Sequence, residues 1–136
     1  MSVGLLLITH EGIGEQLLRA ARAIMVAALP NEALGVRPDD APERIGEAVV
    51  AAMQRLDRGD GVLALCDLYG ATPCNAIRRR AADANLRIIT GCNLPMVLKI
   101  FNYAALDVDQ LAAKALEGGK TGILKAPAPH CPARRP

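Results

Sequence analysis

Two stretches of this chain run apolar side chain after apolar side chain without polar alternation: Val3-Gly-Leu-Leu-Leu-Ile8 and Val62-Leu-Ala-Leu-Cys66. A third, Leu86-Arg-Ile-Ile-Thr90, is shorter but similar. A strand with one wet face alternates, so runs of this kind predict strands covered on both faces, as in a parallel sheet. Between them lie segments with helical spacing. Leu17, Ala21, Ile24, Met25 and Ala28 predict one helix face ending at Pro30-Asn31; Ile45, Val49, Ala52, Met53 and Leu56 predict another, opened by a capping-box-like Asp40-Ala-Pro-Glu43. Strand runs alternating with helical segments require crossover connections, and hence an α/β fold.

The rest of the chain continues the pattern. Ala33 to Arg37 is a candidate short strand, and Arg58-Gly-Asp-Gly61 a turn. Thr72 as N-cap with Pro73 behind it predicts a helix to about Ala84. Gly91-Cys-Asn-Leu-Pro95 leads into a helix to about Ala105. Asp107 or Asp109 opens a last helix carrying Val108, Leu111, Ala112, Ala115 and Leu116, with Gly118-Gly119 as its stop and Thr121 to Lys125 as a final strand. The expected architecture is a three-layer α/β/α sandwich around a mostly parallel sheet of four to five strands. Residues 1–125 form its single domain; residues 126–136, with four prolines, form a tail expected to be disordered.

Composition narrows the function. Sixteen basic against 14 acidic residues leave a net charge of +2, and aromatics make up 2% of the chain, so neither the charge nor the stacking platforms of a nucleic-acid binder are present. No apolar run reaches the roughly 18 residues that span a bilayer. The start MSVGLLLITH lacks the basic region of a signal peptide. The chain therefore reads as cytoplasmic, and the four cysteines (Cys66, Cys74, Cys92 and Cys131), which form no CxxC pair, read as free thiols.

In open parallel sheets, ligands bind beyond the carboxyl ends of the strands. Loops 9–14, 67–73 and 91–95 are the ones so placed, and they hold the unusual residues: His10, Asp67, Gly70-Ala71-Thr72-Pro73 and Asn93. Neutral imidazole is a good nucleophile, and its ordinary pKa near 6.5 keeps it mostly neutral in cytosol. A carboxylate on one ring nitrogen fixes the tautomer, presents the other nitrogen outward and stabilises charge that builds on the ring. Backbone amides of residues 70–73 and the Thr72 hydroxyl suit a phosphoryl group. Nucleophile, orienter and anion nest together describe phosphoryl acceptance on His10. No Walker lysine loop or nucleotide fingerprint is present, so no bound cofactor is expected and the donor is not a bound nucleotide. Asn75, Asn93, Gly70 and Gly91 read as loop-shaping residues, and Glu11 as a solvated charge. Cys66, Cys74 and Cys92 lie toward the same sheet edge, but without close ligand spacing, so no metal site is read. A hydrolase using His10 or Cys66 is the weakest alternative, because Arg78 to Arg80 lie in a helix rather than in a phosphate loop.

Gly4-Leu-Leu-Leu-Ile-Thr-His10, Asp67-Leu-Tyr-Gly-Ala-Thr-Pro-Cys-Asn75 and Gly91-Cys-Asn-Leu-Pro-Met96 together resemble the enzyme IIA component, mannose family, of the bacterial phosphoenolpyruvate-dependent sugar phosphotransferase system. The similarity extends over about the first 125 residues. It implies that His10 takes a phosphoryl group from the phosphocarrier protein HPr and passes it to a IIB partner. It further implies that Asp67 is the carboxylate beside that histidine, and that Thr72, with Gly70 and Ala71, belongs to the phosphate-binding loop. A homodimer is implied too, with the last strand, Thr121 to Lys125, exchanged or paired across the interface. Ala71 departs from the resemblance where a second glycine is common, and Cys92 where an aliphatic residue is usual. No IIB sequence is joined to these residues, so a separate acceptor is expected. A lone IIA of this type can also be a regulatory phospho-switch, whose state at His10 is read by a partner without sugar transport.

Overall fold

The four central residues of the first strand, Leu5, Leu6, Leu7 and Ile8, are all fully buried, although successive side chains in a strand point to opposite faces. Both faces of the sheet are therefore covered. The computed structural model describes residues 2–80, 82 and 85–129. Its elements run β1 (Gly4–His10), α1 (Ile13–Ile24), β2 (Asn31–Val36), α2 (Pro42–Leu56), β3 (Val62–Cys66), α3 (Thr72–Arg78), β4 (Leu86–Thr90), α4 (Leu94–Asn102) and α5 (Val108–Thr121). The sheet has the order β2-β1-β3-β4, and all its pairings are parallel.

Leu5 and Leu7 join Leu63 and Leu65 in a core shared with Leu18 of α1, Val97 and Ile100 of α4 and Leu111 of α5. Leu6 and Ile8 join Ala64 and Cys66 in a second core with Val49 and Ala52 of α2 and Ile77 of α3. This is the expected three-layer sandwich. Each fully buried Leu or Ile contributes about 1.5–3 kcal/mol of transfer free energy, so β1 is the apolar axis of the domain.

Several local expectations change. Helix α1 ends at Ile24, and its buried positions are Gly14, Leu18 and Ala21. Ile24 is exposed, as is Ala28, which lies beyond the helix. The face is turned because Gly14 must seat against β1: a Cβ there would lie 3.1 Å from both Leu7 Cβ and Thr9 Oγ1. The capping box at α2 is absent; Ala41 is the N-cap, and Asp40 Oδ2 instead accepts the Arg37 N–H at 2.8 Å within a turn. Thr72 is the first residue of α3 rather than its cap, a place taken by Ala71 in extended conformation. That helix ends at Arg78; Ala84, its expected end, lies outside the described residues. Asp107, not Asp109, caps α5, its Oδ1 accepting the Gln110 N–H at 2.8 Å.

The largest correction is at the C-terminal end. Gly118 and Gly119 do not stop α5, which continues through Thr121, and residues 122–129 form neither helix nor strand in the single chain. Both glycines lie against α4, where a Cβ on Gly118 would be 2.5 Å from Lys99 Cβ and one on Gly119 would be 2.7 Å from Met96 Cε. They permit close packing between two helices instead of breaking one. Residues 130–136 of the expected tail, including His130 and Cys131, lie outside the described residues.

Candidate functional site

Strand order reverses between β1 and β3: the chain goes outward from β1 to β2, then crosses back to β3 on the other side of β1. Such a switch point opens a crevice beyond the strand ends. His10 is the last residue of β1, and Asp67 directly follows the last residue of β3. The parallel pairing that sets Ile8 beside Cys66 carries both chains past the sheet edge together.

The two side chains meet there. His10 Nδ1 lies 2.7 Å from Asp67 Oδ2, and the same oxygen accepts the His10 backbone N–H at 3.1 Å. A carboxylate can only accept, so the proton of a neutral ring sits on Nδ1 and the lone pair on Nε2. The exposures differ in a useful direction: the His10 side chain is 47% exposed and that of Asp67 only 10%. Burial raises the Asp67 pKa, but hydrogen bonds from the His10 ring and backbone, its own backbone and the nearby ring charge outweigh that effect and hold it below the ordinary carboxylate value. The arrangement is a fixed, ionised base behind a ring that faces outward.

The backbone around His10 is tied on each side. Thr9, the one buried polar side chain among the described residues, donates from Oγ1 to the His10 carbonyl at 2.7 Å and accepts the Gly14 N–H at 2.8 Å. The Glu11 N–H donates to the Val36 carbonyl at 3.0 Å. Glu15 Oε1 accepts the Gly12 N–H at 3.0 Å, and Gly12 takes a φ of +97° that favours glycine. Sequence reasoning passes over Thr9 and Glu15. The Gly12-to-Glu15 spacing carries a readable capping signal, whereas nothing marks a threonine at the end of an apolar strand as a bridging group.

Gly70 turns the second loop with a φ of +85°, and its carbonyl accepts Asn75 Nδ2 at 3.0 Å. The Ala71 N–H is occupied by the Leu68 carbonyl, at 3.3 Å. Pro73 has no N–H. Among the described residues, the amides of Gly70 and Thr72 are the ones between positions 70 and 73 without a hydrogen bond. Among the described residues, no hydrogen bond joins Thr72 to His10 or Asp67; Thr72 lies instead on the wall of a groove between α2 and α3. Asn93 caps α4 by accepting the Met96 N–H and reaches the Gly119 carbonyl of α5 with Nδ2 at 3.1 Å. Asn75, Asn93, Gly70 and Gly91 thus shape loops, as expected. Glu11 pairs with Arg37 at 3.0 Å across exposed surface, a contact of little energetic weight.

Cys66 and Cys74 are buried, Cys92 is half-buried, and all three are free. Burial, the neighbouring Cys74 thiol and the Asp67 charge raise the Cys66 pKa strongly. Burial and Asp67 push Cys92 to about 11, against a smaller opposing backbone hydrogen bond. A buried thiol held in its protonated form is a poor nucleophile, which weighs against the Cys66 hydrolase alternative. Among the described residues, no group of three His, Cys, Asp or Glu side chains is arranged to hold a metal ion. A groove of about 750 Å³ between α2 and α3 is lined by Ile45, Val50, Thr72, Asn75 and Arg79, among others, but not by His10 or Asp67. The exposed His10 ring therefore opens to the surface rather than into that groove. No helix among the described residues is long and apolar enough to cross a membrane.

Comparison with known proteins gives the family and the fold. Residues 4–116 match the EIIA-man family, described as the PTS system fructose IIA component. The chain is 31% identical over 126 residues to the PTS system mannose-specific EIIAB component of Escherichia coli (strain K12), covering 90% of this chain and 39% of that protein. It thus spans about two fifths of the length of the curated relatives it matches. Its fold is similar to that of the mannose/sorbose specific IIA subunit of the phosphotransferase system from Enterococcus faecalis, with a TM-score of 0.84 at 24% identity over 96% of this chain and 98% of the other. It is also similar to phosphotransferase system component EIIA from Streptococcus agalactiae, with a TM-score of 0.78 at 18% identity over 90% and 96% of the two chains. The match over residues 4–116 shows that the chain belongs to the EIIA-man family of IIA components of the sugar phosphotransferase system.

Proposed function

We propose that His10 Nε2 accepts a phosphoryl group from the phosphocarrier protein HPr and passes it to a IIB protein. The observation that carries this reading is the Nδ1 to Oδ2 contact of 2.7 Å on a ring that is otherwise 47% exposed. In the forward step the Nε2 lone pair forms the N–P bond as the bond from phosphorus to the donor atom breaks. The Nδ1 proton stays in place, and Asp67 offsets the positive charge on the ring. Discharge runs the same path in reverse toward the acceptor. No metal or other cofactor of this chain enters either step.

Gly70, Ala71 and Thr72 are the proposed phosphate-binding residues. Their contribution comes from the open amides of Gly70 and Thr72 and the Thr72 hydroxyl; Ala71 shapes the turn, its own amide being engaged. The site's setting suits a protein donor. Ile13, Leu68 and Tyr69 follow His10 and Asp67 closely in sequence and are 45%, 61% and 65% exposed, an apolar rim of the kind that docks another protein. Ile123 and Leu124, 78% and 70% exposed after α5, support the homodimer expectation, in which residues 121–125 meet a second copy. A cytoplasmic location follows from the same partners.

The test is incubation with phosphoenolpyruvate, enzyme I and HPr. The expected result is an acid-labile gain of one phosphoryl group, carried on Nε2 by nitrogen and phosphorus NMR and absent from His10→Ala. Full labelling of His10→Ala, or phosphorylation at Nδ1, overturns the assignment.

A further inference from the structure

We propose that Thr9 is a positioning residue for phosphoryl transfer: its buried hydroxyl locks the His10 main chain to the start of α1, so that the ring stays on Asp67 while Nε2 gains and loses its load. This rests on the phosphohistidine reading above and adds to it a residue that cannot touch donor, acceptor or phosphate.

The geometry is specific. Thr9 is fully buried at the end of a strand whose other buried side chains are apolar. Its hydroxyl has one proton, and that proton goes to the His10 carbonyl at 2.7 Å. One of its lone pairs takes the Gly14 N–H at 2.8 Å, an orphan first-turn amide of α1. Gly12, at the cap position, has no side chain to serve that amide, so Thr9 takes over the capping role from three residues upstream. The same atom therefore fixes a helix terminus and the reactive residue's backbone. On the other side, Asp67 Oδ2 holds the His10 N–H. His10 is thus clamped at its amide by Asp67 and at its carbonyl by Thr9, and the ring nitrogen bond to Asp67 depends on both clamps. Gly14 completes the device, since any Cβ there would press on Thr9 Oγ1 at 3.1 Å.

The experiment uses the full chain. Thr9→Val keeps shape and burial but removes both hydrogen bonds, while Thr9→Ser keeps them. Two readouts are taken: the rate of phosphoryl acceptance from phosphorylated HPr, and the 15N shifts of the His10 ring, assigned by loss in His10→Ala. Thr9→Val is expected to move the Nδ1 signal away from its hydrogen-bonded position and to lower the maximal rate about tenfold or more, with the half-saturating HPr concentration little changed. Thr9→Ser is expected to restore both. If Thr9→Val does not fold, Gly14→Ala displaces the same hydroxyl and is expected to move the same ring signal. Ring shifts unchanged in the folded variant, or Thr9→Ser as impaired as Thr9→Val, overturn the proposal. Absence of any phosphoryl acceptance by the wild type would overturn the phosphohistidine reading instead, and the ring shifts separate the two failures.

Discussion

A single oxygen of Asp67, Oδ2, holds His10 twice, accepting from ring Nδ1 at 2.7 Å and from the backbone N–H at 3.1 Å. Orientation of the ring and placement of the strand end are therefore one interaction. Asp67→Ala should fold, because the two cores contain no part of this contact, yet it should accept phosphoryl about a hundredfold more slowly, having lost both tautomer control and charge stabilisation. Single-turnover rates with phosphorylated HPr check this, and a rate within twofold of wild type would remove the orienting role.

The same contact gives a pH dependence. The folded-state pKa of Asp67 lies below its unfolded value, because the donors of His10 outweigh the effect of burial. The folded state thus binds the Asp67 proton more weakly than the unfolded chain does. The resulting stabilisation is complete above the unfolded value near 3.9 and is lost as pH falls through the folded value. Urea unfolding of wild type and Asp67→Asn should therefore show a stability gap at pH 6 that narrows below about pH 4. A gap of constant size across that range would contradict the assignment.

Cys92 should be slow to alkylate. Its pKa near 11 leaves a thiolate fraction at pH 7.5 about two orders of magnitude below that of an ordinary free thiol. Iodoacetamide labelling followed by mass spectrometry tests this. Asp67→Asn removes a negative charge that helps raise that pKa and should speed the labelling; Cys92 reacting as fast as free cysteine would refute the prediction.

Gly118→Ala should destabilise the domain by about 1–3 kcal/mol through overpacking, although alanine is the better helix former. The new Cβ would meet Lys99 Cβ at 2.5 Å, and a Cβ close to the α4 backbone cannot swing away as the end of a side chain can. Chemical denaturation of the two proteins decides it, and equal or raised stability in the variant would show that α4 and α5 can separate without loss.

What was legible in the sequence followed from local rules. Val62–Cys66 reads as a doubly covered strand because each side chain is apolar, and it is one. Ile45, Val49, Ala52 and Leu56 hold the buried face of α2 as spaced. His10 and Asp67 stood out as polar residues at the ends of apolar strands, and their meeting followed from parallel topology. The misreadings have a tertiary cause in common. Gly118 and Gly119 look like a helix stop until Lys99 and Met96 are seen against them. The α1 face is set by where Gly14 can sit on β1, which periodicity alone does not fix. Thr72 looked like a cap, but extended Ala71 takes that place. Thr9 carries no signal at all, because its two partners are backbone groups.

Parallel pairing fixes the count of residues along β1: Ile8 stands opposite Cys66, and His10 opposite Val36. Because side chains alternate, a slip of one residue would send the imidazole to the other side of the sheet and put Thr9 at the rim. Adding or removing a single residue between positions 4 and 9 would have the same effect, however conservative its chemistry. A misaligned conformer, even a compact one, could not assemble the acceptor. Under the proposed phosphohistidine role, competence to take up a phosphoryl group doubles as a report that the central strand has found its native alignment.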